Sequence, residues 1–214
     1  MNIWFTSDTH YHHRNLVRGL STWGNMEDGS VNMETLIRET RDFSTLEEMN
    51  DTLVENINRV VKPEDILFHL GDWSLGNINA IGEFREKLHC RKINLILGNH
   101  DKHLAGNKSD VQRHFNGVWV VWGMGWDKAK VNGQRMTLSH FPMTVWDKHH
   151  HGAWHLHGHS HGNLKLQNNR KILDVGIDNH PEFRPFHFDE VQEIMDKKIV
   201  EVVDHHTHEN ANKS

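Results

Sequence analysis

The sequence predicts an α/β fold: a mostly parallel sheet whose strands alternate with helices, followed in the same domain by a second, hairpin-rich sheet. Three observations carry this. Apolar runs of strand length at 2–6, 65–69 and 92–97 are separated by segments of helical period. Polar residues gather where each run ends, in "SDTH", "GDW" and "GNHD". Beyond residue 117 short apolar runs follow one another, punctuated by turns such as Asn132-Gly133.

Taken in order, "NIWFT" reads as a buried strand, followed by a polar turn and a short helix near 13–20. Residues 21–43 are polar and read as a long loop or small cap over the site. Ser44 and Glu47 form a capping box for a helix whose stripe is Leu46, Met49, Leu53, Ile57 and Val60, ending before Pro63. Strand 65–69, a helix near 77–88 and strand 92–97 repeat the pattern. Short strands are expected near 117–122, 125–132, 134–139, 153–157, 163–167 and 171–175. A helix near 189–197 and a strand near 198–203 close a domain spanning 1–203, and 204–214 reads as a disordered tail.

Composition narrows the class. The formal charge is −5 and the 24 Lys and Arg are dispersed, so long nucleic acid is not a favoured partner. Cys90 is alone, which excludes an internal disulfide, and its apolar surroundings suit a small buried residue. No leader-like or membrane-length apolar segment is read, so a cytoplasmic protein with no membrane partner is expected. The anomaly is histidine, 21 residues, which makes metal chemistry the leading hypothesis.

The polar residues at strand ends are Asp8 and His10, Asp72, Asn99 with His100 and Asp101, His140, and His159 with His161. Carboxylate, imidazole and amide oxygen without thiolate suit manganese foremost, or iron, zinc or nickel. Asp8, His10, Asp72, Asn99, His140, His159 and His161 are more donors than one ion needs. Two divalent ions ~3.5–4 Å apart require a shared ligand, and a carboxylate bridges best; Asp72 is the candidate.

"HLHGHSHG" places histidine at every second position from 155 to 161. In a strand, His155 and His157 share a face, about 6.6 Å apart, and Gly158 lets the chain turn. His159 and His161 are therefore taken as ligands. His155 is a strand neighbour, and His157 packs or supports a ligand from behind. His69 reads as a hydrogen-bonded core histidine. Trp23, Trp73 and Trp146 stand near loops and invite base stacking, although core filling explains most of the tryptophans, with Trp119, Trp122 and Trp126 in the second sheet.

The ordered set D-x-H, G-D, G-N-H-D, H and G-H-x-H, spanning residues 8 to 161, resembles the calcineurin-like metallophosphoesterase family. "KILDVGID" and "RPF" near residue 185 resemble segments of its small bacterial and phage phosphoesterases. The resemblance implies a two-sheet β-sandwich flanked by helices, with a dimetal site where the sheets meet. It implies one metal held by Asp8, His10, Asp72 and His161 and a second by Asp72, Asn99, His140 and His159. His100 would be the catalytic histidine and Asp101 its orienting carboxylate. A general acid of this kind contributes about 10²- to 10⁴-fold in rate. His13, Arg14 and Asn15 at a helix start would meet the substrate phosphate.

One departure bears on substrate. Protein phosphatases of the superfamily carry an Asp-Arg pair in the second block, where this chain has Leu75 and Gly76 in "GDWSLGN". Fewer fixed cations suit a singly charged diester. The expectation is a phosphodiesterase acting on a small nucleotide-like or cyclic nucleotide diester. The alternatives are a phosphomonoesterase or pyrophosphohydrolase, or a non-catalytic binding protein on the same fold.

Overall fold

A computed structural model describes residues 1–106, 112–125, 130–164 and 169–201 of the chain. In chain order the elements are β1 (Ile3–Thr6), α1 (Met33–Glu39), α2 (Leu46–Val60), β2 (Ile66–His69), α3 (Ile78–Lys87), β3 (Lys92–Ile96) and α4 (Lys102–Gly106). They continue with β4 (Gly117–Trp119), β5 (Val121–Trp122), β6 (Lys130–Val131), β7 (Gln134–Ser139), β8 (Trp154–His157), β9 (Ile172–Asp174), β10 (Phe186–His187) and α5 (Phe188–Asp196). The result is a mixed α/β architecture with two mixed sheets flanked by helices.

The first sheet runs β10-β1-β2-β3-β4, with β1 to β4 parallel and β10 antiparallel to β1. Strand alternation divides its residues between two cores. Ile3, Phe5, Phe68 and Ile96 face the second sheet and meet Met136, Leu138, Trp154 and Leu156, with Phe188, Val191 and Met195 of α5 closing that layer. Trp4, Leu67, Ile93 and Leu95 face the other way, onto Met49, Leu53 and Ile57 of α2 and Ile81 and Phe84 of α3. The stripe expected on α2 is the buried one, but the helix caps one residue later than predicted. The Thr45 side chain accepts from Glu48 N, and Glu48 Oε2 accepts from Ser44 N.

The second sheet departs more from expectation. Its order is β5-β7-β8-β9, with β6 paired to β7. A hairpin turns at Asn132-Gly133 between β6 and β7, yet β7, β8 and β9 are parallel to one another. The hairpin-rich reading therefore holds only for this sheet's edge. Strand 117–122 is broken at Val120, and its halves join different sheets. Trp119 consequently belongs to the first sheet, while Trp122 packs on Phe68 between the sheets, ring centroids 5.5 Å apart. The helix near 13–20 is only a 3-10 turn at Arg14–Leu16, and of the strand expected near 198–203 the described residues 198–201 show a bridge from Ile199 to Arg170, while 202 and 203 lie outside the described residues. Residues 163 and 164 are not in a strand, and the rest of the strand expected at 163–167 lies outside the described residues, as do Trp126 and the tail 204–214. Among the described residues no helix is long and apolar enough to cross a membrane.

Candidate metal centre

Parallel strands deliver their carboxyl ends to one edge, and the site is built there. Asp8 and His10 follow β1, Asp72 follows β2, Asn99 and His100 follow β3, His140 follows β7, and His159 and His161 follow β8. Asp8, His10, Asp72, His159 and His161 all have positive φ, between 44° and 69°. This region costs an L-residue about 1–2 kcal/mol, and such strain concentrates at functional sites.

Two groups of metal-binding donors result, Asp8/His10/His161 and Asp72/His140/His159, the donor atoms of each lying within 4.8 Å of one another. Asp72 joins them: its Oδ2 is 3.5 Å from His10 Nε2 and 3.4 Å from His140 Nε2. Its Oδ1 accepts from His100 N at 2.9 Å. Asn99 Oδ1 lies 2.9 Å from His140 Nε2, adding an amide oxygen to the second group. All seven predicted ligands thus converge on one edge, whereas His155 and His157 stay outside both groups. His155 is fully buried, taking Met143 N on Nε2 and facing Thr137 O with Nδ1, and His157 Nδ1 faces Gly158 O. His69 is buried against Trp73, with Nε2 2.9 Å from Thr9 Oγ1.

The electrostatics ask for positive charge. Asp8 Oδ1 is buried without a hydrogen-bond partner, 3.9 Å from both His10 Nε2 and His161 Nε2. Burial pushes the Asp8 carboxyl up to about 6. Burial also holds His10 well below its ordinary value, so it presents the neutral imidazole a cation needs. At His140 and His161 burial is outweighed by hydrogen bonds to, and the negative charge of, the Asp72 and Asp178 carboxylates, and both imidazoles rise. His140 Nδ1 faces Leu70 O at 2.8 Å, and His161 Nδ1 faces Asp178 Oδ2 at 2.6 Å. A proton on each Nδ1 leaves Nε2 aimed into the site, the usual arrangement behind a metal-bound histidine. An orphaned buried carboxylate oxygen, a shared carboxylate and imidazoles fixed from behind together fit a pair of divalent cations.

Two glycines make the close approach possible. A Cβ at Gly98 would overlap Asp72 Oδ1, and one at Gly158 would overlap Ser7 Oγ and Asp8 Oδ2. Gly158 thus lets the histidine loop reach β1, where His159 N donates to Asp8 Oδ2 at 2.9 Å.

Asp101 corrects the sequence reading. Its Oδ2 accepts from Asp72 N and Gly98 N at 2.9 and 2.8 Å, and Oδ1 accepts from Trp73 N at 3.0 Å. Among the described residues no hydrogen bond joins it to His100. It holds the loops carrying Asp72 and Asn99 together rather than orienting the imidazole. His100 is exposed, its ring 5.3 Å from that of His10, and lines a cavity of about 200 Å³ with Ser74, Leu75 and Asn77. His13 also reaches the site, 5.2 Å from His10 and 6.1 Å from His100 between ring centroids, and burial pushes it down to about 4. Arg14 is exposed and Asn15 half-buried, with no hydrogen bond from either side chain to the cluster. The 3-10 turn that replaces the expected helix offers too few free N–H groups for the anticipated anion site.

Sequence reasoning missed the support behind His161. Arg41, within the 21–43 segment, is buried and donates from Nε and Nη2 to Asp178 at 2.7 and 2.9 Å, from Nη1 to Thr9 O at 2.8 Å and from Nη2 to Asp8 O at 2.6 Å. Although burial acts against ionisation, the Arg41 charge holds Asp178 far below the usual carboxylate range. Asp174 accepts from Gly162 N at 3.1 Å and Gly176 N at 2.9 Å, fixing the far side of the histidine loop. The "KILDVGID" segment was the available signal for both aspartates; Arg41 carried none.

No protein-family model matches the chain. It is 29% identical over 209 residues to an uncharacterized protein of Methanocaldococcus jannaschii, covering 94% of this chain and 96% of that one. It is 28% identical over 202 residues to the gene 66 protein of Mycobacterium phage L5, covering 83% and 86%. A crystal structure of a protein of unknown function from Aquifex aeolicus superposes with a TM-score of 0.62 at 21% identity, covering 90% of this chain and 98% of that one, a similarity of fold alone.

Proposed function

We propose that this chain is a dinuclear-metal phosphoesterase on the calcineurin-like metallophosphoesterase fold, and that it hydrolyses a small nucleotide-like or cyclic nucleotide phosphodiester. The observation that carries the reading is the Asp72 carboxylate, whose Oδ2 stands between two donor groups while Oδ1 holds the His100 backbone. Asp8, His10, Asp72 and His161 would hold one divalent ion, and Asp72, Asn99, His140 and His159 the other, with manganese the first candidate. Such ions supply Lewis acidity, polarising a phosphoryl oxygen and lowering the pKa of water from 15.7 to about 7.

The remaining chemistry falls to the protein. His100, at the exposed edge, is placed to give a proton to the leaving oxygen as its bond to phosphorus breaks. The cavity of about 200 Å³ that His100 lines would take the leaving group. Leu75 and Gly76 line it where protein phosphatases carry their phosphate-gripping pair, and among the described residues Lys102 is its one permanent cation. A singly charged diester suits that sparse charge better than a dianion.

The test compares bis-p-nitrophenyl phosphate with p-nitrophenyl phosphate in added manganese. Diester turnover that vanishes in Asp72→Asn, together with metal content, is expected. His100→Asn should retain the metals and lose about 10²- to 10⁴-fold on a diester with an alkyl leaving group, which needs the proton most. Turnover of the monoester alone would replace the diesterase by a phosphatase, and no turnover of either by metal-loaded protein would refute the reading.

A further inference from the structure

Beside the metal centre, on its His161 side, lies a second cavity of about 230 Å³ whose floor and wall include His161, Leu16 and Trp23. Of the described tryptophans, Trp4, Trp73, Trp146 and Trp154 are buried and Trp119 and Trp122 are half-buried, whereas Trp23 is 40% exposed. Its ring stands edge-on to His13, centroids 5.5 Å apart at 87°, and His13 in turn is 5.2 Å from the predicted ligand His10. The backbone N–H of Trp23 donates to Ser21 Oγ, but among the described residues its indole N–H has no partner. The Trp23 ring thus presents part of its face to the cavity, within two rings of the proposed ligand His10, with its indole N–H free to meet a bound molecule.

We infer that this cavity is a nucleobase subsite, with Trp23 the stacking platform for the substituent that stays on phosphorus. The inference rests on the phosphodiesterase reading and names its substrate class. Three features argue for a base rather than a hydrocarbon or a chain of nucleotides. Trp23 supplies a flat aromatic surface, and stacking is how proteins hold unpaired bases whatever their sequence. Arg38 Nε already donates to Glu39 Oε1 at 2.7 Å, but the remaining guanidinium N–H groups, the second Glu39 oxygen and the Asn163 amide offer both donors and acceptors to the edge of a heterocycle. The volume is below the ~300 Å³ at which drug-sized sites begin, room for one ring system. The two cavities also divide the substrate sensibly: the one beside His100 takes the departing alcohol, and the one beside His161 keeps the nucleoside.

Two p-nitrophenyl diesters with the same leaving group separate the possibilities: thymidine 5′-(p-nitrophenyl) phosphate and methyl p-nitrophenyl phosphate. The inference expects Trp23→Ala to lower the ratio of their kcat/KM values, nucleoside ester over methyl ester, by about tenfold, and Trp23→Phe to restore most of it. An unchanged ratio would overturn the subsite while leaving the phosphodiesterase intact. The second measurement needs no turnover. Equilibrium titration of the manganese-loaded protein with adenosine 5′-monophosphate and with ribose 5-phosphate should show tighter binding of the nucleotide, a preference lost in Trp23→Ala. Equal affinities in the unaltered protein would overturn the inference even if both esters are hydrolysed. A nucleotide preference without hydrolysis of either ester would instead uphold the subsite and remove the esterase.

Discussion

Replacing Arg41 by Met tests the support behind the site without replacing a proposed ligand. Arg41 contributes its guanidinium to four acceptors, both oxygens of Asp178 and the carbonyls of Thr9 and Asp8, from a position that is 8% exposed. Met preserves most of the apolar stem, so the loss is mainly electrostatic. Removing one member of a buried ion pair costs about 3–5 kcal/mol, because the remaining charge keeps its desolvation without its partner. Asp178 is 20% exposed and retains His161, which places the expected cost near the lower bound, about 3 kcal/mol. For a chain of this size 1 kcal/mol moves Tm by ~2–4 °C, so a fall of about 6–12 °C is expected. The assay is thermal unfolding in excess chelator, so that metal linkage does not contribute. Arg41→Lys should recover less than half, since an ammonium cannot span four acceptors in a plane. A fall below 2 °C for Arg41→Met would refute the buried-pair account.

His69 and His155 are fully buried, with values pushed down to about 3 by desolvation from an ordinary 6.5. Between those values the unfolded chain binds more protons than the folded one, so stability falls as pH drops below 6.5, by roughly 2 kcal/mol per histidine at pH 5; a urea midpoint that holds steady from pH 7 to 5 would refute this. Gly98→Ala should displace Asp72 and reduce bound manganese after desalting, whereas Gly133→Ala, where a Cβ meets nothing within 4 Å, should cost only about 1 kcal/mol of stability and leave metal content unchanged. His159→Ala should lower metal content, while His155→Gln should preserve it and lower Tm through the lost Met143 contact; metal analysis of the two proteins distinguishes a ligand from a core histidine.

The convergence of the seven proposed ligands was legible because a parallel sheet brings its strand ends together, so polar residues after separate apolar runs must share an edge. The His159/His161 assignment followed from Gly158 ending the strand after His157. The pairing of the second sheet was not legible: β5 and β6 are two residues each, and nothing local distinguishes the parallel crossover between β7 and β8 from a hairpin. Arg41 and Asp178 are 137 positions apart, and an arginine in a polar stretch resembles any solvated one. The role of Asp101 was not legible in the motif: it follows His100 directly, adjacent side chains diverge, and its carboxylate turns instead to the backbone N–H groups of Asp72, Trp73 and Gly98.

The left-handed conformations of Asp8, His10, Asp72, His159 and His161 carry an implication for how the chain tolerates change. These positions would be more comfortable as glycine, so selection for folding alone would erode them one by one, each loss making the protein slightly sturdier. A homologue relieved of its chemistry should therefore show glycine or asparagine at these five places before its apolar sandwich changes at all. Under the proposed dimetal reading, the five left-handed positions are where this chain trades stability for its site.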